Sequence, residues 1–520
     1  MERNWARWPE SYLTGITLIA AALMLAAPLW CVWAPAMPDY PAHLASFALI
    51  EQGTGNTFYH LHWAFVPNLA AEVLVPWLAR LTGLVAATKL FLTAAIFLWV
   101  LGPGAVHRAL YGRTGIAPLF GSFFAYNANF TWGFFNYYFS TGLSFAIFAA
   151  WIATDKRNGP LRLASFTVTV TLLYFCHIFA AASLALMIAG FEVAQNFRLE
   201  QRKPAALVRR ALRVAIIYVP AAFAFLFLKP HDPGNEGIIF DLLDTMLDRF
   251  ESLVQHSFDD AAYVLPIALF AGLALAIYLR KARLHPAMWA TLGLLLTGAI
   301  FAPEWAFGGW AVHLRLPAVF GAMLFAAAEL PMKPAARTAL VALVLMVIAG
   351  SAATMAQSWL GYDRQFREFQ AALEEVPRGA RMLTVLDGDA IGDRPDQPYW
   401  HMAEFAVPER GVFTPLLFTT KGQHVVQLNP PYERYAAASA QQGSPPDVDE
   451  LGFLASGQLD QDEDMQEDMP YLNHFQCHFD IAVVVHLDGK RTPIPAMLRL
   501  RHAGTFFSFY DILPDRSCQR

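Results

Sequence analysis

Charge is what this sequence has least of. Only 15% of its 520 residues are Asp, Glu, Lys or Arg, against about a quarter in soluble domains, while 56% are hydrophobic. With a mean hydropathy of +0.37, that shortage excludes an ordinary soluble fold and implies a polytopic membrane protein. A formal net charge of -5 leaves no basic excess, so nucleic acid is excluded as a partner. No internal repeat is visible, which argues against the repeat-built transporter architectures. Cysteine is scarce as well, with four in the chain. Cys31 and Cys176 lie in apolar runs and read as plain apolar residues. Cys477 and Cys518 flank the last strand-like segments, where a disulfide and two free thiols are both open readings.

Long apolar runs are abundant. The first, Tyr12 to Trp33, follows Arg3 and Arg7 and precedes Ala34-Pro35-Ala36, which loosely imitates a signal-peptidase site. It exceeds the roughly 7–15 residues of a signal core and is read as a retained spanning helix. Further runs long enough to span begin near Leu84, Ile116, Asn136, Leu161, Ile178, Ala211, Tyr263, Pro286, Trp310 and Ala339, giving about eleven spans. Eighteen membrane-proximal Lys and Arg, from Arg3 and Arg7 through Arg113, Arg210 and Arg283 to Lys333 and Arg337, fall at alternate ends. The opposite loops hold Arg80, Lys229 and Arg249. This asymmetry places the N-terminus in the cytoplasm and the chain after Gln357 outside.

Two outer loops, 36–83 and 229–262, carry patterned segments. Pro67 to Leu81 is apolar but too short to span, and is expected as a helix in the membrane interface. Ile238 to Phe258 sets Ile239, Leu242, Leu243, Met246, Leu247, Phe250 and Leu253 against Asp241, Asp244, Asp248 and Glu251, an amphipathic helical pattern. After the last span the composition turns soluble. A polar helix from Arg364 to Glu375 and the strand-like RMLTVLD, FDIAVVVHL and GTFFSFYDIL predict a small α/β domain over 361–520, following a transmembrane domain over 1–360. The acidic run Leu459 to Pro470 lacks the glycine and spacing of a calcium loop and is expected to be a solvated loop without metal.

Topology gathers the unexplained polar residues on the outer side: Asp39, His43, His60 and His62, then Asn127, Asn129, Asn136, Tyr137 and Tyr138, then His177, and last Glu304, His313 and Arg315. At such depths an unpaired charge is costly, so these groups must face a cavity, water or each other. Asp39 and His43 are four residues apart and share a face if Tyr40 onward is helical. Two readings of Asp39 stand: helix cap, with Pro38 and Pro41 around it, or reacting acid. His43, His60 and His62 with Asp39 offer donors for a divalent metal, but the spacing matches no established zinc pattern. Arg315 in HLRLP suits a lipid phosphate or a snorkelling side chain, with Glu304 as a structural partner, and Lys89 poses the same choice.

The layout as a whole resembles the GT-C class of integral-membrane glycosyltransferases, near the aminoarabinose and galacturonic-acid transferases and the protein mannosyltransferases. The residues that carry the likeness are PDYPAH (Pro38 to His43), the lysine of ATKL (Lys89), GFFNYYFSTGLSF (Gly133 to Phe145) and HLRLP (His313 to Pro317). The resemblance implies a polyprenyl-phosphate-linked sugar as donor and a glycan, lipid or protein as acceptor, at the periplasmic face of a bacterial inner membrane. By position it makes Asp39 the base, makes Arg315, His313 and Lys89 contacts to the donor phosphate, and sets His43, His177, Asn136, Tyr137 and Glu304 near sugar or acceptor. Many relatives carry two adjacent acids in this loop. Here Tyr40 follows Asp39 and the next acid is Glu51, which leaves a divalent cofactor open. The segment HMAEFAVPERG (His401 to Gly411) is expected to approach the active site. Two competing readings are a transporter or flippase for a lipid-linked or anionic solute, and a polysaccharide ligase or polymerase.

Overall fold

A computed structural model describes residues 8–515 and 518, apart from 54–55, 156–158, 199–203, 231–236, 244, 256–262, 389–396, 436–444, 456–469 and 488–491. The chain is a mostly helical polytopic membrane protein with a small sheet near its C-terminus. Its helices begin with α1 (Trp8–Cys31), α2 (Tyr40–Gln52), α3 (Ala70–Thr82) and α4 (Leu84–Tyr111). Strand β1 (Tyr59–Leu61) lies between α2 and α3. Among the described residues five helices are long and apolar enough to cross a membrane, and shorter apolar helices accompany them.

The run expected to span from Ile116 is not one helix. It breaks into α5 (Ala117–Gly121), a 3-10 turn (Ser122–Ala125) and α6 (Ala128–Trp132), before α7 (Phe135–Ala153). Asn127 makes the break, because its side chain accepts from the Asn129 amide at 3.0 Å and donates to the Phe124 carbonyl at 2.7 Å. A short polar side chain thus competes with the helical ladder and restarts it as a cap. Asn129 in turn donates to the Leu314 carbonyl at 3.0 Å. Both asparagines hold the backbone.

The bundle continues with α8 (Pro160–Cys176), α9 (Ile178–Arg198), α10 (Pro204–Phe223), α11 (Met246–Glu251), α12 (Val264–Tyr278), α13 (Trp289–Phe301), α14 (Leu316–Ala327) and α15 (Pro334–Ala372). Between them run the two-residue strands β2 (Ile238–Ile239), β3 (Arg283–Leu284), β4 (Trp305–Ala306) and β5 (Ala328–Glu329). α4 and α7 approach closely: a Cβ on Gly142 would lie 2.7 Å from the Leu98 Cβ, the small-residue contact that packing without a hydrophobic drive requires. The amphipathic helix expected over Ile238 to Phe258 shrinks to α11, because Ile238–Ile239 pair with Trp305–Ala306 as strands. Residues 256–258 of that expectation lie outside the described residues. The interfacial segment after Pro67 is helical, as α3.

Each end of the bundle is pinned by charge. At one end the buried Glu329 binds both Arg113 and Arg283, so three loops counted among the basic ones meet on one carboxylate. At the other, Asp363 of α15 accepts from the Trp33 and Ala34 amides, and Lys89 of α4 donates to the Val32 carbonyl. α15 runs unbroken through position 360, so the expected polar helix from Arg364 is its continuation, ended by a 3-10 turn at Leu373–Glu375.

The C-terminal part contains β6 (Met382–Asp387), α16 (Ala406–Arg410), β7 (Val426–Leu428), α17 (Val448–Ala455), α18 (Phe475–His478), β8 (Ile481–His486), β9 (Leu498–Ala503) and β10 (Phe507–Ile512). Its sheet has the order β6-β8-β10-β9, with β6 and β8 parallel and the remaining pairs antiparallel. β6 and β8 are buried throughout, as continuous apolar runs require. β7 pairs not within this sheet but with β1, in the loop between α2 and α3, Tyr59 opposite Leu428. Cys477 and Cys518 form a disulfide across 41 residues of chain. The acidic run before Pro470 lies outside the described residues.

An Asp–His–Ser chain stitches the sheet. Asp387 Oδ2 lies 2.5 Å from His486 Nδ1, whose Nε2 lies 3.1 Å from Ser508 Oγ, and Thr492 N–H donates to Asp387 Oδ1 at 3.0 Å. The residue types are those of a hydrolytic triad, but Ser508 is fully buried and no substrate can reach its oxygen. The chain therefore serves to join β6, β8 and β10. Replacing His486 with Ala strands a buried carboxylate, so the expected loss is on the order of 3–5 kcal/mol, read as faster limited proteolysis of the C-terminal part. The wild-type protein is expected to resist labelling at Ser508 by a fluorophosphonate probe.

Candidate active site

Asp39 stands at the position that precedes the first turn of α2, where an aspartate usually accepts from the helix amides. Its side chain makes no such bond. Pro41 occupies the first turn and has no N–H to offer, so one potential donor is absent. The backbone supplies the hold instead, with Asp39 N–H donating to the Trp132 carbonyl at 3.1 Å and the Asp39 carbonyl accepting from His43 N–H at 3.0 Å. Gly133 makes room for this arrangement. Its φ is +93°, and a Cβ there would sit 3.1 Å from the Asp39 Cβ. The left-handed turn that ends α6 is thus what lets the acid-bearing loop lie against it.

The freed carboxyl borders a cavity of about 180 Å³, lined from one side by Asp39, His43, Trp132, Phe134, Asn136, Tyr137, His177, Trp310 and Arg315. From the other side Trp400, His401, Phe418, Gln423 and His424 close it. Burial pushes the Asp39 pKa up from an ordinary 3.8 to about 7, while the charges of His401 and Arg315 pull it back down. The loss of hydration is the larger effect, as expected for a carboxyl lifted out of water.

Arg315 enters at the start of α14 and is 7% exposed. One Nη donates to the Trp310 carbonyl at 3.1 Å, and the guanidinium carbon lies 4.8 Å from the Tyr137 and Phe179 ring centroids and 5.1 Å from that of Phe134. Its Nε and other Nη find no hydrogen-bond partner among the described residues. Three aromatic faces partly offset the cost of burying the charge. They leave its remaining donors unused, an arrangement complementary to an anion.

The other histidines divide by partner. His43 stacks on Phe135 at 4.6 Å, and burial lowers its pKa to about 3, so its ring stays neutral across the physiological range. His177 sits in the extended break between α8 and α9, and its Nδ1 accepts from Phe179 N–H at 3.2 Å. His424 stacks on Phe418 at 5.5 Å, with its pKa lowered by burial to about 4. Phe418 also meets His43 at 5.4 Å and His401 at 5.0 Å, and so joins α2 to the C-terminal part. Tyr137 donates its hydroxyl to the Arg315 carbonyl at 2.6 Å. Asn136 spends its polar atoms on Ala71 N–H, Asn68 O and Glu72, the last at 2.8 Å, so it anchors α3 although it also borders the cavity.

Asp39, His43, Asn136, Tyr137, His177 and Arg315 therefore come together, and other expected members do not. Lys89 is placed at the helix ends near Asp363, where it donates to the Val32 carbonyl and borders no part of this cavity. His313 is buried on the side of Glu304 and Arg249, away from the lining. Glu304 accepts from the Trp310 indole at 3.3 Å and acts behind the wall. His60 lies on β1, with Nδ1 3.1 Å from Asn429 Oδ1, and the His62 amide donates to Val425 O at 2.8 Å. Strand pairing has claimed this pair, and among the described residues no group of three His, Cys, Asp or Glu is placed to hold a metal. The donors near Asp39 thus do not fit a divalent ion.

Sequence reasoning missed Trp132, Trp310, Phe418 and His424, and reached His401 only through the segment that contains it. The usable signal was a histidine and an acid three residues apart, His401 and Glu404, in an otherwise apolar stretch.

No family model matches this chain, and no curated protein matches it. Among solved structures it is similar to ArnT from Cupriavidus metallidurans bound to undecaprenyl phosphate, with 12% identity, 96% of each chain covered and a TM-score of 0.44. It is likewise similar to ArnT from the same organism in the apo state, with 11% identity, 97% of this chain and 98% of that one covered, and a TM-score of 0.45.

Proposed function

We propose that this chain is an inverting glycosyltransferase that moves a sugar from a polyprenyl-phosphate donor to an acceptor hydroxyl, at the periplasmic face of a bacterial inner membrane. One observation carries the reading: Asp39, an uncapped carboxyl with a pKa near 7, shares a cavity with Arg315, a caged cation with unused donors. In the reaction the acceptor oxygen attacks the anomeric carbon as its proton passes to Asp39. The bond from that carbon to the phosphate oxygen breaks, and its electron pair leaves with the polyprenyl phosphate. Negative charge grows on the phosphate where Arg315 offers two nitrogens without partners among the described residues. A single displacement needs one carboxylate, and inversion follows from it. The neutral His43 ring and the Tyr137 face border the space left for the sugar. No step runs through a metal, because the donor set beside Asp39 does not suit one.

Replacing Asp39 with Asn is expected to lower transfer from a polyprenyl-phosphate sugar by about 10²–10⁴-fold, the range of a lost general base. A rate unchanged in detergent rules the reading out. Replacing Arg315 with Lys keeps the charge but loses the planar fork. It is expected to lower kcat by at least about tenfold, a part of the 10²–10³ of a lost transition-state donor.

The pH dependence has a fixed sign. The base works when ionised, so kcat/KM is expected to rise with pH through a midpoint near 7. Stability responds oppositely. Between pH 3.8 and about 7 the unfolded chain has lost the Asp39 proton and the folded one retains it, so stability falls across this window and stays reduced above it. Asp39→Asn is therefore expected to raise the thermal midpoint in detergent at pH 8 and to leave it unchanged at pH 3.5.

A further inference from the structure

The wall of the cavity opposite the membrane helices holds a buried acid that the proposed reaction does not use. Glu404 follows His401 on a 3-10 turn (Met402–Phe405) between β6 and α16, so that the two side chains share one side of the turn. Glu404 is 0% exposed, and neither of its carboxylate oxygens has a hydrogen-bond partner among the described residues. Among the described residues its ionisable neighbour is the His401 ring, with Nδ1 at 3.9 Å from Oε1. That distance is an ion pair rather than a hydrogen bond, and Nδ1 is likewise without a hydrogen-bond partner. His401 is 5% exposed, and what it borders is the cavity that holds Asp39.

Burying a carboxylate without a partner is costly, and among the described residues the group placed to offset its charge is an imidazolium at His401. Resting on the reading of Asp39 as the reacting acid, we propose that Glu404 and His401 form a positioning pair by which the C-terminal domain acts on the reaction: the buried carboxylate holds a charged imidazole beside Asp39. The groups that face Asp39 are His401 from this wall and Arg315 from α14, with His43 on α2, the helix that Asp39 itself opens. Those that face His401 are Glu404, Asp39 and His43, with His424 beyond Phe418. His43 and His424 are neutral, since burial lowers both. His401 goes the other way, raised above its ordinary value by Glu404 and then Asp39 although burial opposes them. An imidazolium beside Asp39 favours the ionised carboxylate, so its loss moves the Asp39 midpoint to higher pH.

Glu404 touches no substrate space, and so a structural role and a positioning role make different predictions. The direct readout is the carboxyl C=O stretch of Asp39 in infrared difference spectra of the full-length protein in detergent, isolated by subtracting the Asp39→Asn variant and followed against pH. In Glu404→Gln the Asp39 midpoint is expected to rise by at least about half a pH unit, a threefold change in the ionised fraction at fixed pH. His401→Gln is expected to do the same, and Glu404→Asp to restore most of the wild-type midpoint. Transfer assays on the same variants should show the acidic limb of kcat/KM displaced by the same amount. A midpoint unmoved in both Glu404→Gln and His401→Gln, in protein that elutes and melts as wild type does, overturns the pair. Should either variant melt early, the midpoint of Glu404→Asp decides, since an unmoved midpoint supports the pair and a shift as large as that of Glu404→Gln overturns it. A displaced midpoint with no transfer from any polyprenyl-phosphate sugar upholds the pair and removes the glycosyltransferase reading instead.

Discussion

Setting a carboxyl on the wall of a cavity while leaving it without its helix-cap hydrogen bond is the constraint on which this molecule turns. At the head of α2 an aspartate has amide donors within easy reach, and accepting from them would place its pKa below the ordinary value. Asp39 declines those bonds. The geometry that prevents them comes from elsewhere in the chain: Pro41 in the first turn, the Trp132 carbonyl that holds the Asp39 amide, and the positive-φ Gly133 that admits the loop. The rest of the cavity then consists of compensation, a caged arginine on one side and an ion-paired histidine on the other.

Compensation of this kind divides the structure between charges that pin and charges that wait. Glu329, with two arginines, and Asp363, with two backbone amides, have their partners within the fold and set how the helices meet. Arg315 retains unused donors and Asp39 an uncommitted carboxyl. The unsatisfied state of Arg315 and Asp39 is what makes a site of the cavity.

Much of this was legible in the sequence, and the rest was hidden for identifiable reasons. Composition yielded the membrane class, because burial in lipid demands long apolar helices whatever the packing. The gathering of Asp39, His43, Tyr137, His177 and Arg315 followed from topology, since side chains at one end of several helices must converge. The broken run after Ile116 was missed because Asn127 looks like one more polar residue until its side chain is seen capping. Lys89 was placed in the site by resemblance and His60 was offered as a metal donor, while local partners, a backbone carbonyl and Asn429, engage them. His401 and Phe418 depended on how a domain hundreds of residues away docks, and periodicity carries no information about that.

The pairing of β1 with β7 joins residues 59–61 to residues 426–428. Its consequence concerns biosynthesis. The loop that carries β1 emerges early, yet its strand partner and one wall of the cavity, from Trp400 to His424, belong to the last quarter of the chain. At roughly 5–20 residues per second, Asp39 and its apolar surroundings wait on the order of tens of seconds for closure. During that interval the nascent protein presents an open edge strand and an incomplete pocket. A chain released before Phe418 would thus be a membrane protein with its helices in place and its cavity unwalled, and the exposed β1 edge would be the feature by which quality control could recognise it.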